Sequence, residues 1–260
     1  MKVVILAGGL GTRLNEETLA KPKPMVEIGG KPVLWHIMKI YSYFGINEFI
    51  ICCGYKSNII KDYFLNYANY NSDITINTKN NALHIHPNVV EDWTITLAET
   101  GDLTMTGGRL KRVKKYLDNE TFCMTYGDSL TDVNILDLIK YHKERKEIAT
   151  FIGVRPPARF GTFILSDEEQ NRVVDFHTDR SEVESLINGG FFVLEPQALD
   201  YIDGDQDMWE EAPLRRLALA GQLGIYKHDG FWQCMDTYKE KLLLEKLWST
   251  GNAGWKIWKD

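Results

Sequence analysis

The stretch "VVILAGGLGTRLNEETLAKPKPM", residues 3–25, decides how the rest of the chain is interpreted. It starts as a short apolar run, typical of a buried strand, and continues into a segment with three glycines, one arginine and two lysines. A glycine-rich loop between a first strand and a helix suits nucleotide binding, because bare backbone N–H groups can approach phosphate oxygens closely. The opening stretch therefore predicts a phosphate-binding loop.

Two common nucleotide motifs do not fit this loop. The dinucleotide fingerprint G-x-G-x-x-G needs a glycine where the chain has Leu14, and the P-loop needs Gly-Lys-Ser/Thr where Gly11 is followed by Thr12 and Arg13. The Arg13 guanidinium and the Lys23 ammonium still offer donors for phosphate oxygens. The alternative is an ordinary strand-to-helix turn with solvated basic residues.

Outward from this loop, short apolar runs alternate with amphipathic segments of helix length. Strands are predicted at 2–7, 48–53, 121–127 and 148–154, and helices at 32–44, 57–67 and 133–146. This βαβ rhythm predicts an α/β fold whose parallel sheet is covered by helices on both faces. Residues 1–260 show no linker, so we expect one domain.

Two regions depart from the rhythm. Residues 73–99 alternate with period two around an Asn-Asn turn, which predicts an inserted antiparallel β-ribbon. Residues 160–194 contain another set of short strands, and residues 237–260 are predicted to form a C-terminal helical segment. The edges of the ribbon would need covering, which suggests burial against a second subunit.

Composition limits the partners. A net charge of −6 and a pI of about 5.6 argue against a broad surface for nucleic acid or anionic membrane. The chain has no apolar run of membrane-spanning length and no secretory signal pattern at its first residues. Its four cysteines lack C-x-x-C spacing, which favours reduced thiols. We therefore expect a cytoplasmic protein that binds neither nucleic acid nor membrane.

The residues 6–37, "LAGGLGTRLNEETLAKPKPMVEIGGKPVLWHI", resemble a known signature. It is the G-x-G-T-R … K-P-K-P pattern of nucleotidyltransferases that join a nucleoside triphosphate to a sugar 1-phosphate. The resemblance continues nearly end to end, through "FIICCGYK", "TGDLTMTGGRLKRV", "MTYGDSL", "INGGFFVLEP" and "GFWQCMDT". These later stretches are similar to the bacterial cytidylyltransferase branch of that family.

The resemblance implies transfer of CMP from CTP to a sugar 1-phosphate, with glucose 1-phosphate as the first candidate. The products would be pyrophosphate and CDP-glucose, a nucleotide sugar for lipopolysaccharide or surface polysaccharide. It also implies a Rossmann-like mixed, mostly parallel sheet flanked by helices, the nucleotide-diphospho-sugar transferase type, with inserted antiparallel β-ribbons. Members of the family are oligomeric, so we expect a homo-oligomer.

The resemblance further assigns roles residue by residue. Nucleotide-binding positions would be Leu6, Ala7, Gly8, Gly9, Leu10, Gly11, Thr12, Arg13, Thr104, Gly108, Arg109 and Asp128. The acceptor would meet Lys23, Phe160, Gly161, Arg180, Asn188 and Gly189. Catalysis would depend on Arg13, Lys23 and Asp128.

Two aspartates are candidate metal ligands. Asp128 follows the predicted strand 121–127, and Asp236 lies in "CMDT" more than a hundred residues later. Taken singly, each aspartate suits a turn or a helix cap. Both, however, match the family's Mg²⁺ ligands, and Mg²⁺ is well served by one or two carboxylates together with phosphate oxygens and water.

One stretch departs from the family pattern. The family has a Glu-Lys-Pro triplet whose lysine holds the sugar phosphate, whereas this chain has Thr178, Asp179 and Arg180 there. Arg180 is one replacement for the lysine, and Arg155 or Arg159 is another. A third possibility is a different phosphorylated acceptor. A nucleotide-binding sensor or assembly subunit without transfer activity is the hypothesis from another functional class.

Overall fold

The structure is a computed structural model. It describes residues 1–9, 11, 14, 18–86, 90–156, 162–165, 173–177 and 186–259, with backbone only for 162–165 and 173–177. A seven-stranded sheet forms its centre. In spatial order the strands are β14 (Leu223–His228), β10 (Ala149–Val154), β13 (Ile187–Leu194), β8 (Phe122–Tyr126), β1 (Lys2–Leu6), β4 (Glu48–Cys53) and β7 (Thr94–Glu99).

The sheet is mixed and mostly parallel, as predicted. β1 pairs in parallel with both β4 and β8, β4 pairs in parallel with β7, and β10 pairs in parallel with β14. The strand β13 alone runs antiparallel, between β10 and β8. Strands β1, β4 and β8 therefore end at the same edge, and the loops that follow them lie close together.

Helices cover both faces of the sheet. The described helices are α1 (Val33–Tyr43), α2 (Ser57–Leu65), α3 (Tyr67–Tyr70), α4 (Thr106–Arg112), α5 (Ile135–Arg145), α6 (Ala212–Leu219) and α7 (Tyr238–Ser249). The predicted helix over 57–67 ends at Leu65, and α3 follows it after Asn66. In the described part of the chain, no helix is both long and apolar enough to cross a membrane.

Alternating residues of the central strands divide the interior into two cores. Val3 and Ile5 face a core that contains α1, α5 and α7, whereas Val4 and Leu6 face a second core with α4 and α6. Because side chains of a strand alternate between faces, a strand covered on both sides must be apolar throughout. This is why "KVVIL" and "EFIICC" were recognisable as continuous apolar runs.

The prediction of a ribbon over 73–99 was wrong for its last six residues. β5 (Ile74–Asn77) and β6 (Ala82–Ile85) do form an antiparallel ribbon. Thr94–Glu99, however, is β7, the parallel edge strand of the central sheet. A half-buried edge strand shows the same period-two alternation as a ribbon strand, so the pattern does not separate them.

The second set of short strands also divides. β11 (Thr162–Leu165) and β12 (Val173–His177) pair with each other in antiparallel orientation, while β13 joins the central sheet. Smaller pairs are β2 (Glu27–Ile28) with β3 (Lys31–Pro32), and β9 (Ser129–Thr131) with β15 (Trp232–Cys234). The pair of β9 and β15 places a C-terminal segment beside the end of β8.

The C-terminal tryptophans enclose a buried histidine, His36 of α1. The rings of Trp35, Trp248, Trp255 and Trp258 all lie within 6.2 Å of the His36 ring, centroid to centroid. His36 Nε2 is 2.8 Å from the Ile28 carbonyl, and Trp255 Nε1 donates to Nδ1 at 3.3 Å. Nδ1 is thus an acceptor and Nε2 carries the proton, so the ring is neutral. Burial lowers the pKa of His36 from 6.5 to about 4.

This histidine predicts a loss of stability in mild acid. Between pH 6.5 and pH 4 the unfolded chain binds a proton that the folded chain does not, so acidification favours unfolding. We expect the free energy of unfolding to fall by about 3 kcal/mol across this window from His36 alone. Urea unfolding of wild type and His36→Gln from pH 7 to pH 4 measures it. A constant difference between the two proteins would contradict the expectation.

Candidate active site

Three charged side chains from distant parts of the chain meet at the carboxyl edge of the sheet. Lys23 Nζ lies 2.6 Å from Asp128 Oδ2 and 2.6 Å from Asp236 Oδ1. All three side chains are largely buried, with exposed fractions of 13%, 26% and 23%. Burial lowers the pKa of Lys23, but the charges and hydrogen bonds of the two aspartates outweigh it and raise the pKa overall. The lysine is therefore a permanent cation.

Local packing explains why these groups converge. Lys23 begins a single 3₁₀ turn, Lys23–Met25, in which Pro24 is buried. Pro24 packs against Gly127, where an added Cβ would come within 2.8 Å of the proline ring, and Asp128 is the next residue. On the other side, Met235 N–H donates to the Asp128 carbonyl at 2.9 Å, which sets the neighbouring Asp236 beside it.

The aspartate pair fits a divalent cation. Two carboxylates already converge on one positive charge, the Lys23 ammonium, at hydrogen-bonding distance. The described residues contain no group of three or more His, Cys, Asp or Glu side chains able to hold a metal. A two-carboxylate site suits Mg²⁺, which keeps several ligand positions for phosphate and water.

A cleft of about 390 Å³ opens beside the aspartates. Its lining includes Tyr126, Asp128, Asn188, Trp232, Cys234 and Asp236. The predicted acceptor residue Asn188 is thus in the cleft, and Gly189 is next to it, with its carbonyl accepting from Trp232 Nε1 at 2.7 Å. Trp232 was not among the predicted site residues, although positions 232, 234 and 236 lie on one face of an extended chain.

The glycine-rich segment follows β1 at the same edge. The Gly8 carbonyl accepts from Tyr55 N–H at 3.2 Å, which joins the loops after β1 and β4. Gly11 has φ +64°, a left-handed conformation that favours glycine, and its carbonyl accepts from Thr18 Oγ1 at 3.0 Å. Leu6 and Ala7 are buried, whereas Gly9 is exposed. A Cβ added at Gly11 would come within 3.1 Å of the Lys23 Cβ, so the backbone of Gly11 lies beside Lys23.

Arg109 lies behind this segment and is 3% exposed. Its terminal nitrogens donate to protein oxygens on the loops after β1 and β7 and at the end of β4: Gly8 O at 2.9 Å, Cys53 O at 3.3 Å, Thr100 Oγ1 at 2.7 Å, Gly101 O at 2.7 Å and Asp102 O at 3.3 Å. Burial lowers the pKa of Arg109. The guanidinium thus connects two loops and the end of β4 around the predicted nucleotide site.

Thr104 and Gly108, which the resemblance also assigns to the nucleotide, pack against other parts of the protein. Thr104 is buried between Gly101 and Gly108. Gly108 lies against the backbone of Asp205, where a Cβ would come within 2.5 Å of the Asp205 Cα. Their roles toward a nucleotide stay predictions.

Several predicted site residues lie outside the described residues. They are Leu10, Thr12, Arg13, Phe160, Gly161 and Arg180, together with Arg159, Thr178 and Asp179 of the departing stretch. Arg155 is described, and its Nε donates to Asp229 Oδ1 at 3.4 Å. The next residue, Pro156, lines the cleft.

Comparison with known proteins decides the family of the chain. Residues 2–219 match the nucleotidyl transferase family. The chain belongs to that family. A nucleotidyl transferase of Salmonella typhi, named "Glucose-1-phosphate cytidylyltransferase", is 52% identical over 259 residues, which are 99% of this chain and 100% of the relative. A Bacillus subtilis member, "Probable glucose-1-phosphate cytidylyltransferase", is 44% identical over the same shares of both chains.

Solved nucleotidyl transferase structures support the fold. The structure of a UDP-glucose pyrophosphorylase complexed with UDP-glucose has a TM-score of 0.68 at 16% identity and covers 96% of this chain and 98% of its own. HddC from Yersinia pseudotuberculosis has a TM-score of 0.69 at 21% identity, covering 95% and 99%. At these identities the likeness establishes the nucleotide-diphospho-sugar transferase fold, as the sequence predicted. The family membership makes the chain an enzyme of the nucleotidyltransferase class.

Proposed function

We propose that the protein transfers CMP from CTP to glucose 1-phosphate and releases CDP-glucose and pyrophosphate. The observation that supports it most directly is the full-length identity of 52% and 44% to relatives named for this reaction. The convergence of Lys23, Asp128 and Asp236 supplies the charges that phosphoryl chemistry requires. We place the reaction in the cytoplasm, with Mg²⁺ as the cofactor and the nucleotide sugar used for surface polysaccharide.

The reaction needs no covalent protein nucleophile. A phosphate oxygen of the acceptor forms a new bond to the α-phosphorus of CTP, while the bond between the α-phosphorus and pyrophosphate breaks. A phosphate monoester is largely ionised near neutral pH, with a second pKa of about 6, so the attacking oxygen needs no general base. The enzyme's contribution is to position the two substrates and to stabilise developing charge.

The chain's own residues divide this work. In the proposal, the backbone of the segment after β1 meets the nucleotide, and Arg13 holds the triphosphate. Lys23 offsets charge on the phosphates from its position beside the cleft. Asp128 and Asp236 would hold Mg²⁺, which when bound neutralises phosphate charge and aligns the triphosphate. Asn188 and the cleft beside it would receive the sugar phosphate.

The inserted ribbon supports the proposal of a homo-oligomer. Ile74 is paired with Ile85 and Ile76 with Leu83, so these four apolar side chains lie on one face. Their exposed fractions are 41%, 39%, 61% and 57%. Exposed apolar patches of this kind mark interaction sites. Sedimentation of the intact protein determines the number of subunits.

Pyrophosphate release tests the function. Purified protein is mixed with CTP, Mg²⁺ and glucose 1-phosphate, in parallel with other sugar phosphates and phosphorylated metabolites. Turnover with glucose 1-phosphate supports the proposal. It also shows that an enzyme with Thr178, Asp179 and Arg180 in place of the family triplet accepts this substrate. Turnover with another acceptor alone would mean a changed acceptor specificity. CTP binding without turnover on any acceptor would favour the sensor or assembly subunit.

A further inference from the structure

The backbone of Asp236 is tied to the first turn of α7. Asp236 N–H donates to Glu240 Oε2 at 2.7 Å, and Thr237 N–H donates to the same oxygen at 2.9 Å. One carboxylate oxygen therefore accepts from two consecutive amides, one of which belongs to the aspartate that faces Lys23. We propose that Glu240 is a positioning residue, which holds Asp236 in the orientation that the reaction needs. The inference rests on the function proposed above.

The contact to Asp236 exceeds what the helix itself requires. α7 begins with a capping box, in which Thr237 Oγ1 accepts from Glu240 N–H at 3.3 Å and the Glu240 carboxylate accepts from Thr237 N–H. A capping box satisfies the N-cap amide and the N3 amide. Here the Glu240 side chain extends one residue further, to an amide outside the helix. The helix start thus serves both the cap and the active-site loop.

α7 is in turn fixed to the segment that contains Lys23. Gly29 N–H, in the turn between β2 and β3, donates to Glu245 Oε2 of α7 at 3.0 Å. Gly29 has no room for a Cβ, because the Trp248 indole of α7 occupies that position. The strand pair β2 and β3 follows the Lys23 turn within a few residues. The helix therefore has a defined position relative to Lys23. Glu240, which belongs to this helix, fixes the backbone of Asp236 relative to the same lysine.

Three substitutions at the same capping box separate positioning from stability. Thr237→Ala removes the hydroxyl acceptor but leaves the bond from Asp236 N–H to Glu240. Glu240→Ala removes both backbone contacts of the carboxylate. Glu240→Gln keeps an oxygen acceptor at the same place, as capping boxes accept either residue. Loss of one helix cap removes only a small part of the stability of a domain, so all variants should fold.

The experiment measures Mn²⁺ binding by electron paramagnetic resonance in the presence of CTP and the absence of acceptor. Thermal unfolding and kcat for pyrophosphate release are measured on the same proteins. Glu240→Ala is expected to weaken Mn²⁺ binding at least about fivefold and to lower kcat about tenfold. Thr237→Ala and Glu240→Gln should stay within about twofold of wild type in both measurements. The two alanine variants should lose similar thermal stability.

Equal effects of Thr237→Ala and Glu240→Ala on Mn²⁺ binding would overturn the inference, because a capping role alone then accounts for Glu240. A Glu240→Ala protein with lower thermal stability but wild-type Mn²⁺ binding and kcat would also overturn it. Absence of pyrophosphate release in wild type, with glucose 1-phosphate as acceptor, would refute the proposed function instead. The Mn²⁺ series with CTP would still decide the role of Glu240.

Discussion

Replacing Lys23 by methionine is expected to lower kcat for pyrophosphate release by about 100- to 1000-fold. The ammonium lies 2.6 Å from each of Asp128 and Asp236, beside the cleft, where it can stabilise charge on the reacting phosphates. Methionine keeps an unbranched apolar stem and lacks only the terminal ammonium, so the buried turn around Pro24 is preserved. The measurement is the steady-state rate at saturating CTP and glucose 1-phosphate.

Lys21→Met is the matched control for this variant. Lys21 lies two residues earlier and pairs with Glu27 at 3.0 Å near the surface, so the same change of charge occurs away from the cleft. Surface ion pairs contribute little, and this variant should keep kcat within about twofold of wild type. A Lys23→Met protein that retains more than a fifth of wild-type kcat would contradict a catalytic role for the ammonium.

Lys23→Met should raise the affinity for a divalent metal, although it lowers kcat. In wild type the ammonium lies between the two carboxylates that a divalent ion would use, so lysine and metal compete for one position. Without Lys23, Asp128 and Asp236 repel each other and gain more from a bound cation. Mn²⁺ binding without nucleotide should therefore tighten at least about tenfold in Lys23→Met. Unchanged binding would show that the lysine does not exclude the metal.

The strands and helices of the central sheet were largely predictable because their signals are local. The runs "KVVIL" and "EFIICC" are apolar on both faces, and the structure places both in the middle of the sheet. β7 was assigned to the wrong sheet because its alternating pattern reports only that one face is buried. Which neighbour a half-buried strand pairs with depends on long-range topology, which the pattern does not contain.

The site was predictable to the extent that each residue could be matched to the family signature. Lys23, Asp128 and Asp236 were predicted from separate motifs. In the structure, Lys23 Nζ lies 2.6 Å from a carboxylate oxygen of each aspartate. The contacts of Arg109 were not predictable, since its acceptors come from three segments that are distant in sequence. The contact of Glu240 with Asp236 was also missed, although Thr-x-x-Glu after "CMD" is a capping-box pattern.

Arg109→Met is expected to lower the free energy of unfolding by about 3 kcal/mol or more. The substitution leaves four backbone carbonyls and the Thr100 hydroxyl without their guanidinium donors in a buried place. Gly8 O keeps its bond from Tyr55 N–H and Cys53 O keeps its bonds from Thr100, so the loss falls mainly on the Gly101 and Asp102 carbonyls. A buried acceptor without a partner costs about 1–3 kcal/mol, and water entering the space recovers part of it. Urea unfolding measures the loss, and calorimetric binding of CTP reports whether the loop after β1 keeps its geometry.

Gly8→Ala tests the contact between Arg109 and the loop after β1 by changing the loop instead of the arginine. Gly8 is not among the glycines with positive φ, so alanine suits its backbone, but the added Cβ would overlap the Arg109 guanidinium. Gly8→Ala alone should therefore destabilise the protein and weaken CTP binding. In Arg109→Met the obstructing group is gone, so adding Gly8→Ala should cost no more than about 0.5 kcal/mol further.

Gly54→Ala is the control for this cycle. A Cβ at Gly54 would also overlap the guanidinium, but it would come within 2.8 Å of the Gly8 carbonyl and 2.9 Å of the Gly101 carbonyl as well. Because these are backbone atoms, Arg109→Met cannot relieve the overlap, and Gly54→Ala should remain destabilising in both backgrounds. If Arg109→Met removes the cost in stability of Gly8→Ala but not that of Gly54→Ala, then Arg109 sets the position of the glycine-rich loop. Additive losses at Gly8 would mean that the loop holds its position without the guanidinium.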